Sequence, residues 1–138
     1  MRRAVVWAAV AFLLVAVFPA AAPVGAAEGD VNACFVWNYD EGCTKSMSVA
    51  IGWYAKLRAK APWHAGGRVD LLQRDPDETR YHRVAELTFN DKGRATWRWD
   101  APLEVECCWY WKFKALDGDG NVIAVSNRLR ADAAPSGD

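Results

Sequence analysis

Between Val105 and Ala115 the residues alternate one by one: Cys107, Trp109, Trp111, Phe113 and Ala115 fall on one side of an extended chain, and Glu106, Cys108, Tyr110, Lys112 and Lys114 on the other. A helix would scatter these rings around its circumference, because its side chains repeat every ~3.6 residues, whereas a strand repeats every ~2. The segment therefore reads as a strand with one apolar face. No stretch after Phe18 sustains a helical period, so the chain is expected to bury its core between sheets.

The same alternation recurs along the chain. From Met47 to Ala59 it places Val49, Ile51, Trp53, Ala55, Leu57 and Ala59 on one face of a single long, half-buried strand, which Pro62 and the turn residues HAGG terminate. Arg68 to Arg74 carries Val69 and Leu71 in phase before DPDE breaks it, and Tyr81 to Phe89 carries Ala85, Leu87 and Phe89. NDKG is a hairpin signal leading into Arg94–Trp99, whose Ala95, Trp97 and Trp99 share a face. DGDGN turns the chain into a last strand, Val122 to Leu129, with a bulge where its apolar phase slips. With a first strand over Ala33–Tyr39, the count is about seven, the pattern of an all-β, immunoglobulin-like antiparallel β-sandwich.

Export is written into the first residues. MRRAVVWAAVAFLLVAVFPAAAPVGAAEGD has two arginines, an apolar run from Ala4 to Phe18 and then small residues, the layout of a signal peptide over residues 1–27. Val24/Ala26 and Gly25/Ala27 both supply the small residues that precede a cut, so the mature chain is expected to begin at Ala27 or Glu28, with no stable membrane anchor after cleavage. The sandwich is then expected over 28–130 and a disordered tail, ADAAPSGD, over 131–138. Removing Arg2 and Arg3 from the 17 basic residues leaves 15 against 17 acidic ones, a formal charge of −2. That balance argues against nucleic acid, whose binders carry a basic face to neutralise phosphates.

Cys34, Cys43, Cys107 and Cys108 all follow the leader, and an even number of cysteines in an exported chain predicts disulfides rather than metal thiolates. Extending the inward phase of Val49 back by even steps turns Cys43 inward, and the phase of Trp109 turns Cys107 inward. A Cys43–Cys107 bridge between sheets follows, leaving Cys34 to pair with Cys108. The competing arrangement is a local Cys34–Cys43 loop with a vicinal Cys107–Cys108 disulfide, which demands unusual backbone geometry of adjacent residues.

The segment GGRVDLLQRD, followed by YHRVAELTFNDKGRATWRW and WYWKFKALDGDGNVIAVSNRLR, resembles the immunoglobulin-like sandwich modules of exported bacterial proteins, especially of actinobacterial type. Val69, Leu71 or Leu72, and Arg74 match a V-x-L-x-R strand; Tyr81, Val84 and Ala85 match the next strand, and Asp91 to Gly93 its D-x-G turn. The likeness covers Gly66 to Arg130 and implies a spacer, adhesive unit or binding domain. Exported apoproteins that carry enediyne chromophores are similar in architecture alone.

Few residues offer reaction chemistry. Nucleophilic hydrolysis needs a nucleophile, a base and an orienting group, but His64 and His82 stand in no such motif and read as solvated surface residues. Glu104/Glu106 and Asp75/Asp77/Glu78 read as exposed acids. Asp117, Asp119 and Asn121 form the first half of a calcium loop, yet Arg128 stands where the twelfth-position glutamate belongs, so a glycine-rich hairpin accounts for them. No catalytic residue, metal or cofactor is expected. Seven tryptophans follow the leader; parity sends Trp53, Trp97, Trp99, Trp109 and Trp111 into the core. That leaves Trp37, Trp63, Tyr54 and Tyr110 as candidates for an exposed aromatic platform. The expectation is a secreted, disulfide-stapled binding or interaction module with an extracellular protein or glycan as partner. The alternative is a carbohydrate- or small-ligand-binding domain using those four rings.

Overall fold

The alternating segments do become strands in the computed structural model, which describes residues 29–37 and 40–136. Among these lie β1 (Asn32–Trp37), β2 (Asp40–Thr44), β3 (Ser46–Ala50), β4 (Tyr54–Lys60), β5 (Arg68–Arg74), β6 (His82–Thr88), β7 (Arg94–Asp100), β8 (Glu106–Leu116), β9 (Val122–Val125) and β10 (Leu129–Ala134), with a 3-10 turn at Pro62–His64. The leader expected over 1–27 lies outside the described residues, as do 137 and 138. No helix among the described residues is long and apolar enough to cross a membrane.

The strands form two sheets, one of four in the order β2-β1-β4-β7 and one of six in the order β3-β10-β8-β5-β6, with β9 also paired to β8. The all-β sandwich is therefore present, built from more and shorter strands than the seven expected. It is not wholly antiparallel, since β10 runs parallel to β3 from Arg130↔Ser46 to Ala134↔Ala50.

Alternation supplies the core from both sheets. Phe35, Leu57 and Trp97 stand side by side across β1, β4 and β7, and Ala33, Ala59 and Ala95 form the neighbouring row. From the other sheet come Trp109, Trp111, Phe113 and Ala115 of β8 with Val69, Leu71, Leu129 and Ala131, all buried. Trp99 meets Trp109 at 5.0 Å and Trp111 at 5.1 Å between ring centres, and Phe35 meets Trp111 edge-on at 5.8 Å, so the aromatics of opposite sheets interlock. The Trp111 indole N–H donates to Gln73 Oε1 at 2.8 Å, which satisfies the one polar atom this ring carries inward. Burial of a side chain of this kind is worth about 1.5–3 kcal/mol.

Three expectations are corrected here. The long strand from Met47 to Ala59 is broken: Gly52 adopts φ +78°, and Trp53 N–H bonds Ala50 O at 2.9 Å in a tight turn. The positive φ suits glycine, which has no Cβ to clash. The chain changes sheets there, β3 joining β10 and β4 joining β1 and β7. The inward phase is lost with it, and Trp53, expected inside, is 65% exposed. The tail expected to be disordered from 131 instead completes β10, where Ala131 and Ala133 are buried and every residue to Ala134 pairs with β3. Ala131 stands beside Trp109 across the β10–β8 ladder, and tertiary pairing overrides the low strand propensity of these small residues. Finally, the slip expected between Val125 and Leu129 is a full interruption. Ser126 N–H bonds Phe113 O at 2.8 Å, and its Oγ accepts from Phe113 N–H at 2.9 Å, dividing the edge into β9 and β10.

Candidate functional site

The cysteines are paired locally, Cys34 with Cys43 and Cys107 with Cys108, which corrects the expected bridges from Cys43 to Cys107 and from Cys34 to Cys108. Strand parity does not carry across Lys45, where the chain passes from one sheet to the other. Cys43 lies on β2, which folds back on β1 with Phe35 opposite Thr44, so its Cα comes within 5.0 Å of that of Cys34. Val49, from which its phase was extrapolated, belongs to β3 in the other sheet. At the second pair, the register between β10 and β8 slips: Ala131 faces Trp109 while Asp132 faces Cys107. Cys108 is the extra residue, so Cys107 does not share the inward phase of Trp109 and is exposed, while Cys108 is half-buried. The peptide between them is cis.

The outer face of the six-stranded sheet carries a stack of rings and cations. Tyr110 lies between the guanidinium groups of Arg74, 4.4 Å from its ring centre, and Arg128, at 4.7 Å. Arg74 also approaches the Tyr81 ring at 5.5 Å, and Lys112 Nζ lies 5.0 Å from the same ring. These distances fall within the ~6 Å over which a ring face attracts a cation. None of Arg74, Lys112 and Arg128 has a carboxylate partner among the described residues. Lower on the same face, Arg68, Asp70, Arg83 and Glu86 pair with one another at 2.8–3.6 Å. Charge is therefore balanced at one end of the face and left positive at the other.

A second feature lies at one end of the sandwich, where the chain crosses between sheets. Trp53 is exposed, and Leu103, 79% exposed, lies against its neighbour Gly52; Val105, 61% exposed, follows two residues further along the connection between β7 and β8. The two segments touch: Gly52 N–H bonds Pro102 O at 3.0 Å and Ala101 N–H bonds Trp53 O at 2.8 Å. Exposed apolar side chains grouped in this way mark contact surfaces more often than isolated ones do. Sequence reasoning missed Trp53 because it carried the strand phase through Gly52. A glycine flanked by bulky residues inside an alternating run was the available sign of a bend.

Of the four rings expected to form a platform, the three whose side chains are described, Trp63, Tyr54 and Tyr110, lie apart. Trp63 packs half-buried against the core, stacks on His64 at 5.1 Å and donates its indole N–H to Asp30 O at 2.8 Å. It lies on a 3-10 turn held over the end of the core, which is why a loop position proved to be packed. Tyr54 lies under the Arg98 guanidinium at 4.1 Å, on the outside of the four-stranded sheet, and Tyr110 is held in the cationic stack on the opposite sheet. The side chain of Trp37 lies outside the described residues.

Both histidines are held by neighbouring groups. His64, expected to be solvated, is half-buried with Nε2 2.8 Å from Leu116 O and its ring edge-on to Phe89 at 5.9 Å. His82 Nδ1 lies 3.1 Å from Glu78 Oε1, and these two with Asp75 bring their ligand atoms within 4.8 Å of one another. The same Glu78 oxygen accepts Asp75 N–H at 3.0 Å and Gln73 donates to Asp75 at 2.7 Å, so the group closes the turn between β5 and β6. Asp117 is likewise committed to its hairpin: Oδ1 accepts from the backbone N–H groups of Asn121 and Asp119, both at 2.9 Å. The Asn121 bond is the main reason its carboxyl is held below the ordinary value of 3.8. Neither protein-family models nor curated proteins match this chain.

Proposed function

We propose that this chain is a non-catalytic, extracellular binding module of immunoglobulin-like type that meets a protein partner through the apolar end formed by Trp53, Leu103 and Val105. The carrying observation is the exposure of Trp53. A large ring that the alternation of its strand should have buried is turned out to solvent next to the segment that leads into the exposed Leu103 and Val105. Tryptophan anchors of this kind dominate the energetics of protein contacts. The neighbouring order of β10, β8 and β5 is that of three consecutive strands in one sheet of such modules, in keeping with the type. Two disulfides suit an oxidising compartment outside the cytosol.

The test is affinity capture from culture medium with the oxidised mature domain as bait, alongside a folded Trp53→Ser/Leu103→Ser variant. A species retained by the first and lost from the second supports the reading. Equal retention by both refutes it. A second reading, an acidic glycan or other anionic ligand, is favoured by the three cations around Tyr110 and Tyr81 that have no carboxylate partner among the described residues. It expects salt-sensitive binding of a polyuronate that Arg74→Ala weakens and the Trp53 variant leaves unchanged.

A further inference from the structure

We propose that the Cys107–Cys108 pair is a thiol–disulfide exchange site, at which an external thiol attacks Cys107 and Cys108 departs as a thiolate held by Arg130. The proposal stands on features independent of the binding face. The pair closes a loop with no residue between its members. A disulfide stabilises a fold chiefly by restricting the unfolded chain, and this effect grows with the length of the loop closed. The pair therefore restricts almost nothing beyond its own two residues, and a role as a staple does not explain it.

Access and charge single out one direction of attack. Cys107 is exposed and Cys108 half-buried, so an incoming thiolate reaches the first sulfur more readily. Arg130, on the adjacent β10, directs Nη2 at both sulfurs, 3.0 Å from Cys108 Sγ and 3.4 Å from Cys107 Sγ. A guanidinium beside a departing sulfur favours the thiolate, and a better leaving group speeds exchange. Arg130 is steadied from its other nitrogen by Ser46 Oγ at 3.4 Å and Asp132 Oδ1 at 3.8 Å, a spacing that leaves its charge only partly offset. The other disulfide lacks these features: attack on the exposed Cys43 would expel the sulfur of Cys34, which is 1% exposed. Burial in apolar surroundings disfavours a thiolate.

The reaction balances with an external dithiol as reductant. Its thiolate forms a bond to Cys107 Sγ as the Cys107–Cys108 bond breaks and the electron pair goes to Cys108 Sγ. The second thiol of the reagent then attacks its own sulfur, releasing Cys107 and forming a cyclic disulfide. Two electrons and two protons pass from reagent to protein. In reverse, the reduced pair gives two electrons and two protons to a partner disulfide, and the Cys107–Cys108 bond forms again.

The experiment treats the folded, oxidised mature domain with limiting dithiothreitol, quenches with iodoacetamide and maps the alkylated cysteines by mass spectrometry. Glutathione replaces dithiothreitol in a parallel arm to trap the first adduct. The expected result is alkylation of Cys107 and Cys108 with Cys34–Cys43 intact, a glutathione adduct on Cys107, and opening slowed by about tenfold in Arg130→Met, with partial recovery in Arg130→Lys. Opening of Cys34–Cys43 first or at the same rate overturns the proposal, as does an adduct on Cys108 or a rate in Arg130→Met within twofold of the parent. Should Arg130→Met not fold, the adduct position and order of opening in the parent still decide.

Discussion

Removing each disulfide separately should expose very different contributions to stability. Cys34 and Cys43 are nine residues apart in sequence. Loop-closure entropy for that spacing amounts to about 2.6 kcal/mol at 25 °C, and removing the buried Cys34 sulfur adds about 1 kcal/mol of lost packing. The double variant Cys34→Ala/Cys43→Ala should therefore lose about 3–4 kcal/mol. For Cys107 and Cys108 the length-dependent part of the same relation nearly vanishes, leaving at most about 1 kcal/mol, and Cys107 is exposed, so Cys107→Ala/Cys108→Ala should lose no more than that. Guanidinium melts followed by tryptophan fluorescence on the parent and both variants measure the two losses. The reasoning is refuted if the second variant loses as much as the first, since that would require the Cys107–Cys108 region to tie distant parts of the chain together.

Three further outcomes are expected. Ser126→Ala leaves the buried Phe113 N–H without its acceptor, at a cost of about 1–3 kcal/mol in the same melts; a loss under about 0.5 kcal/mol would mean that another group takes over. Gly93 has φ +76° and an added Cβ would lie 2.5 Å from Pro62 Cα, so Gly93→Ala should destabilise by more than about 1 kcal/mol and loosen amide protection at Ala61, whose N–H bonds Gly93 O. Asp117 is held below its ordinary 3.8, chiefly by the Asn121 N–H, so its contribution is fully present above that value and is lost as pH falls through the lower folded value. The stability difference between the parent and Asp117→Ala should stay constant from about pH 7 to 5 and shrink in more acid solution; a difference that grows on acidification would contradict that sign.

The strands themselves were legible because alternation is a local property. Wherever a segment stayed in one sheet, as at Val69 and Leu71 of β5 or Trp109 to Ala115 of β8, counting by twos gave the right buried face. It failed at Gly52 because the backbone turns there and passes to the other sheet, and at Cys108 because an extra residue shifts the register. Both failures fell on exposed residues: Trp53, expected in the core, and Cys107, expected in a bridge across it.

By itself, then, the sequence determined that this chain forms an all-β sandwich with an aromatic core, since the spacing of apolar residues decides which faces avoid water. Only the tertiary structure decided which cysteines meet, which rings remain in solvent, and that the small residues of Ala131–Ala134 form a strand. Those outcomes depend on which segments lie beside one another. A pairing of that kind is settled by contacts between residues far apart in the chain, as when β10 fills the space between β3 and β8.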